Sequence, residues 1–244
     1  LVVAAECGWQ PPASLQFVAV GGAKVSRELL ERADAAGIPV HEGYGLSECA
    51  SVVCLNTPAS RRAGTVGRPL PHVRVRVDAA GQVHVAGNTM LGYLGDPPSA
   101  PLDEVATGDL GVIDADGYLR LQGRMGNRFI TGFGRNVSPE WVECEISQRL
   151  GGRPVLVHGE ARPYVVALVG ASAHEAPDAA VEIAIAAANA VLPNYAQVRH
   201  WARAPGPFTP ADGTLTANGR LRRQQTHSRL GTLLDDLYRT ELAS

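Results

Sequence analysis

A short apolar run, Leu15 to Val20, is closed by Gly21-Gly22 and followed by a stretch from Ser26 to Ala36 that reads as a helix stopped by Gly37. The chain then returns to extended structure through Ile38-Pro39-Val40-His41, so these residues form a β-α-β unit. Loops at the carboxyl ends of such strands are where α/β sheets bind ligands. The second strand delivers the run Gly43-Tyr44-Gly45-Leu46-Ser47-Glu48. There Tyr44 offers a ring on which a purine can stack. Ser47 offers an oxygen for a phosphate or a substrate carboxylate, and Glu48 a hard oxygen ligand for Mg²⁺. The same six residues fit equally a plain turn with a buried tyrosine and a solvated glutamate.

Downstream, Val73 to Val77, Gln82 to Ala86, Gly111 to Asp114 and Tyr118 to Leu121 alternate with period two and are separated by Gly and Asp-Gly turns, which predicts a small antiparallel sheet or barrel. The chain divides near Gly123-Arg124. Beyond it, Ser138 and Pro139 open a helix that runs to about Leu150 and stops at Gly151-Gly152. Pro154 to His158 and Pro163 to Gly170 read as strands, and the alanine-rich Pro177 to Leu192 as a helix closed by Pro193. The expected fold class is α/β in two parts: residues 1–122, a portion of a larger domain, and residues 123–244, a smaller mixed α+β domain. The second part is long enough to fold alone.

Composition narrows the function. With 45% hydrophobic residues, 19% charged and a net charge of −2, the chain has ample core and no basic field for nucleic acid. Cys7, Cys49, Cys54 and Cys144 show no metal-binding spacing, so free thiols in a reducing, cytoplasmic compartment are expected. No apolar run approaches the roughly 20 residues that span a bilayer. The opening Leu-Val-Val-Ala-Ala-Glu has neither a basic leader nor an initiator Met, and reads as cut from something longer. Lys24 is the sole lysine among 22 Lys and Arg residues.

Three further signals follow the Tyr44 loop in order: Ala106-Thr107-Gly108-Asp109-Leu110-Gly111, then Gly123-Arg124, then Phe129 through Glu140 with Gly132-Phe133-Gly134-Arg135 inside it. In this order the chain resembles, from about Leu15 to Arg223, the C-terminal part of the adenylate-forming superfamily: acyl-CoA synthetases, adenylation domains of peptide synthetases, and luciferases. The long-chain acyl-CoA synthetase-like members look nearest. The resemblance implies an AMP-forming acid–thiol ligase that uses ATP and Mg²⁺, makes an acyl-AMP from a carboxylic acid of the fatty-acid class, and passes the acyl group to coenzyme A or a carrier-protein pantetheine. It gives Gly21, Gly22, Ala23, Tyr44, Gly45, Asp109 and Arg124 to the nucleotide, with Asp109 and Arg124 on the ribose. Ser47 and Glu48 become catalytic, Glu48 also as the metal ligand. Gly132 to Arg135 would line the pantetheine tunnel once the small, mobile domain has rotated about a hinge at Gly126. Gly21-Gly22 would look the same as a bare strand terminator, and Glu140 and Glu143 read as structural.

The departures from the family pattern are as informative. Gly126 stands where members commonly carry Asp or Lys, leaving no side chain to anchor the pivot. In Asn218-Gly219-Arg220, Arg220 replaces the lysine that inserts between acyl carboxylate and α-phosphate; its planar guanidinium is not an equivalent point charge. The Ser/Thr/Gly-rich loop that cradles the β- and γ-phosphates is not in the chain, nor is the first half of the large domain, which becomes an expected partner. The alternative is a non-catalytic nucleotide-binding remnant or assembly partner.

Overall fold

The computed structural model describes residues 1–95, 102–172 and 176–239. It forms two compact units, one ending at Gly126 and the other beginning at Asn127.

The first unit opens with a short helix α1 (Val2–Glu6) and the expected β-α-β element: β1 (Val18–Val20), α2 (Arg27–Ala35) and β2 (Val40–Tyr44). β1 and β2 are parallel, with Val20 opposite Glu42. α2 starts where its cap demands: the Ser26 hydroxyl accepts from the Leu29 amide at 3.2 Å, satisfying one of the orphan donors of a helix start. Its inner residues Leu30 and Ala33 pack with Ile38 and Val40. Two short strands, β3 (Cys54–Leu55) and β4 (Arg68–Pro69), extend this sheet in the order β1-β2-β3-β4; the sequence pattern gave neither. A second, antiparallel sheet holds β5 (Arg74–Val77), β6 (Gln82–Ala86), β7 (Glu104–Ile113) and β8 (Leu119–Arg124) in chain order. Tyr44, Cys49, Val53 and Cys54 from the first sheet and Val73, Val83, Val85, Val105 and Leu119 from the second make one core. Gly123 and Arg124 remain on β8, so the chain leaves the first unit beyond them.

The second unit begins with a hairpin, β9 (Phe129–Ile130) and β10 (Asn136–Val137), and continues through α3 (Pro139–Arg149), β11 (Val155–His158), β12 (Val165–Val169), α4 (Asp178–Asn189), β13 (Val198–Arg203) and α5 (Arg223–Arg239). β12 lies between β11 (antiparallel) and β13 (parallel). Alternate residues of a strand face opposite sides. Here Val155, Val157, Val165, Ala167 and Val169 join α3 and α4 in one core, while Leu156, Val166 and Leu168 join Leu234 and Tyr238 of α5 in another. Being covered on both faces explains why Val165–Val169 is an unbroken apolar run. At the outer strand, the Asn189 amide side chain takes both backbone groups of Val198, accepting from its N–H at 2.9 Å and donating to its carbonyl at 2.8 Å. Where β11 meets α5, His158 packs against His227. Burial first, and then the neighbouring His227, lower the His158 pKa to about 4.

Ser138 is the residue before α3, with Pro139 opening the helix, but its hydroxyl donates to the Glu140 carboxylate at 3.2 Å and makes no cap bond to the backbone. The four cysteines are free thiols. Among the described residues no helix is long and apolar enough to cross a membrane.

Candidate nucleotide site

Because β1 and β2 run parallel and in register, the loops leaving them emerge together: Gly21 lies so close to Gly43 that a Cβ on it would stand 3.1 Å from the Gly43 carbonyl oxygen. Gly21, Gly22 and Ala23 are exposed at this end of the sheet. After β2 the chain turns sharply, and Gly45 is there for space. A Cβ would fall 1.5 Å from the Ser51 carbonyl oxygen. Ser47 and Glu48 then sit on a short 3-10 turn, Ser47–Cys49, with Ser47 exposed.

The Thr107-Gly108-Asp109 motif, expected as a loop before a short strand, lies inside the continuous strand β7. Gln82 pairs with Leu110 and His84 with Ala106, so β7 carries surplus residues here and bulges. Thr107 staples the bulge, its hydroxyl donating to the Val83 carbonyl at 2.8 Å and accepting from the Asp109 amide at 3.1 Å. Gly108 takes the left-handed φ of +72° that the bulge needs. A bulge re-aims the next side chain, and Asp109 meets Tyr44: the phenol donates to Oδ2 at 2.6 Å. Its other oxygen faces Arg124 Nε at 3.0 Å, directly across the β7/β8 pairing. Three sequence-distant motifs thus converge on one carboxylate.

Tyr44 is 8% exposed and its ring belongs to the core. The purine-stacking role read from sequence therefore has little ring surface to use, while the buried-tyrosine reading of the loop describes the side chain well. Burial and the Asp109 carboxylate both push its pKa up, so it stays a hydrogen-bond donor. At Glu48, Oε1 accepts from the exposed Tyr93 hydroxyl at 3.1 Å and the backbone carbonyl from the Met90 amide at 2.8 Å. Sequence reasoning assigned nothing to Tyr93, Met90 or Thr107. The Thr107 role was legible in principle, since a threonine before Gly-Asp can bond its own backbone. Tyr93 carried no such signal.

For a magnesium ion the donor set is spare. Among the described residues no three His, Cys, Asp or Glu side chains cluster. That suits Mg²⁺, which keeps several waters and is held by one or two carboxylates together with substrate phosphates.

The remaining candidates lie apart in sequence. Gly126 has no left-handed φ, and a Cβ there would meet nothing within 4 Å. Glycine's access to positive φ is therefore not used at Gly126 in this conformation. Gly132 to Arg135 form the β9–β10 hairpin turn of the second unit. The Gly132 amide donates to the Arg162 carbonyl at 2.8 Å, Gly134 adopts φ +72°, and Phe133 stands 77% exposed at the tip. Arg220 is exposed on a second hairpin of that unit, where Leu215 pairs with Leu221 and the Arg220 amide donates to Thr216 Oγ1 at 3.0 Å.

The chain is similar to known proteins along most of its length. Residues 5–94 match the family model described as AMP-binding enzyme. A long-chain-fatty-acid–CoA ligase of Mycobacterium bovis is 27% identical over 91% of this chain and 42% of its own length. A putative fatty-acid–CoA ligase of Mycobacterium tuberculosis is 29% identical over 93% of this chain and 45% of itself. The fold superposes on o-succinylbenzoate CoA synthetase of Bacillus subtilis, solved with its acyl-adenylate intermediate, with a TM-score of 0.74, at 22% identity and over 92% of this chain and 48% of that one. The chain thus spans less than half the length of the relatives it matches. Over most of its length the chain is thus similar to adenylate-forming ligases, as the C-terminal part of their fold, and residues 5–94 match the AMP-binding enzyme family.

Proposed function

We propose that this chain is the C-terminal part of an ATP-dependent, AMP-forming acyl ligase that acts on a carboxylic acid of the fatty-acid class. The observation that carries the reading is the Asp109 carboxylate gripped from two sides by Tyr44 and Arg124. A carboxylate has about four acceptor positions, so two remain for the vicinal hydroxyls of a ribose. Gly21 to Ala23 and Gly45 let backbone come close to the base, and Ser47 meets a phosphate or the substrate carboxylate.

In the first step an oxygen of the acid attacks the α-phosphorus of ATP, the bond to pyrophosphate breaks, and acyl-AMP forms. Mg²⁺ held by Glu48 would supply positive charge beside the phosphoryl oxygens. Arg220 would bring a cation to the acyl carboxylate and α-phosphate, and Tyr93 orients Glu48. In the second step a thiol sulfur attacks the acyl carbonyl, its proton passes to solvent and AMP leaves. We assign that thiol to coenzyme A, with carrier-protein pantetheine as the alternative, and its approach to Gly132 through Arg135 in a mobile small domain that pivots at Gly126.

ATP–pyrophosphate exchange with a panel of fatty and aromatic acids tests this, for the chain alone and mixed with a polypeptide supplying the first half of the large domain. Exchange is expected only in the mixture. Glu48→Gln should lower it by about 100-fold or more, as removal of a transition-state charge does. Arg220→Ala should cut it to a small residual rate, and Arg220→Lys should match or exceed the parent. Unaltered exchange in Glu48→Gln and Arg220→Ala would remove both residues from the site.

A further inference from the structure

Arg220 sits on the second unit's exposed hairpin, and that hairpin has an unusually anchored base. The stem is closed by the Leu215–Leu221 bridge, by Arg222 N–H to the Thr214 carbonyl at 2.8 Å, and by Thr216 N–H to the Arg220 carbonyl at 2.7 Å. Immediately beyond it, at the first residue of α5, Arg223 turns its guanidinium into the protein. Nη2 donates to Glu143 Oε2 at 2.8 Å and Nη1 to the Val157 carbonyl at 3.2 Å. Glu143 Oε1 in turn accepts from the Val157 amide at 2.9 Å. Glu143 of α3, Val157 of β11 and Arg223 of α5 therefore close a ring, with the two charged side chains only 12% and 21% exposed.

Burying an ion pair is a poor way to gain stability, because desolvation offsets the attraction, although removing one partner leaves a buried charge. Its distinctive effect is geometric: a planar fork engaged by two acceptors fixes position and direction together. What this ring fixes is the junction of hairpin and α5, three residues from Arg220. The Arg220 side chain, by contrast, has no partner among the described residues. A long, free cation can be delivered to one place only if its backbone is held. Thr226, fully buried, adds a second hold by donating to the Arg222 carbonyl at 2.9 Å.

We propose that Glu143 and Arg223 are positioning residues for Arg220: the ring they form with Val157 holds the base of the hairpin so that Arg220 is presented in one orientation. This rests on the reading of Arg220 as the adenylation cation, and the test separates the two. In the mixture with the large-domain polypeptide, Glu143→Gln and Arg223→Gln should each lower kcat of ATP–pyrophosphate exchange about 10- to 100-fold with little change in KM for ATP. Arg223→Lys, which keeps the charge but not the fork, should fall between them and the parent. In an Arg220→Ala background with its residual exchange, adding Arg223→Gln should produce no further loss. An equal proportional loss in both backgrounds would mean that the ring supports only the fold, and would overturn the proposal.

Amide hydrogen exchange on the chain itself supplies a readout independent of activity. Thr216, Gly219 and Arg220 should exchange at least 10-fold faster in Glu143→Gln or Arg223→Lys, while β12 amides keep the parent rate. Unchanged hairpin exchange would also overturn the proposal. Accelerated hairpin exchange with Arg220→Ala fully active would instead leave the ring in place and refute the role given to Arg220.

Discussion

The two units solve the same problem, covering a small sheet, in different ways. In the second, helices cover both faces of β11-β12-β13, and every residue of β12 is buried. In the first, one core lies between two sheets and a smaller one under α2, and the candidate loops leave the parallel β1/β2 pair on glycine-permitted backbone, with Gly45 against Ser51. Both units have packed cores, but the second seals its central strand on both faces, while the loops of the first depend on local backbone geometry. Substitutions should therefore act cooperatively in the second unit and locally in the first.

The sharpest way to break that contrast is Leu168→Ala, at a fully buried position. It should cost about 2–5 kcal/mol, seen in denaturant unfolding followed by Trp141 and Trp201, with amide protection lost across the second unit. Equal loss of protection on β6 would erase the distinction between the units. Gly45→Ala comes next: forcing a Cβ against Ser51 should cost about 1–3 kcal/mol, with faster amide exchange confined to residues 43–53 and a raised KM for ATP in the reconstituted enzyme.

The third test is pH. His158, with its folded pKa near 4, takes up its proton in the unfolded chain near pH 6.5 but not in the folded one. Stability of the second unit should therefore fall as pH drops between about 6.5 and 4. With partial solvent screening the loss is on the order of 1–2 kcal/mol, and His158→Gln should flatten that part of the profile measured by thermal unfolding. Ser26→Ala should remove the α2 cap for about 1 kcal/mol, read as faster exchange at the start of that helix only. Smallest of all, Gly126→Asp should shift Tm by less than about 0.5 kcal/mol equivalent, because its Cβ meets open space.

Much of this was legible in the chain. Gly37 and Ser26 bound α2, and alternating Val73–Val77 marked β5, because caps and period-two patterns are local signals. β3 and β4 were not, since two-residue strands have no period. β13, Val-Arg-His-Trp-Ala-Arg, hides its strand character behind charge and is specified by its pairing with β12. α5 has Leu230, Leu233, Leu234, Leu237 and Tyr238 at helical spacing, but it lies past Arg223, where the family resemblance ends. At the site, the residue types of the motifs were evident from sequence, while the bulge that swings Asp109 onto Tyr44 depends on a register shift between β6 and β7 and could not be.

The Asn189 amide that mimics a strand residue beside Val198 bears on how the molecule behaves in a crowd. β13 is the last strand of its sheet, and an open strand edge is a template on which another chain can polymerise. By occupying the first rung itself, Asn189 denies that rung to an incoming strand, and the exposed Arg199 adds charge along the same strand. The side chain thus works as a guard against self-association, and Asn189→Leu should show its loss as concentration-dependent light scattering before any loss of fold.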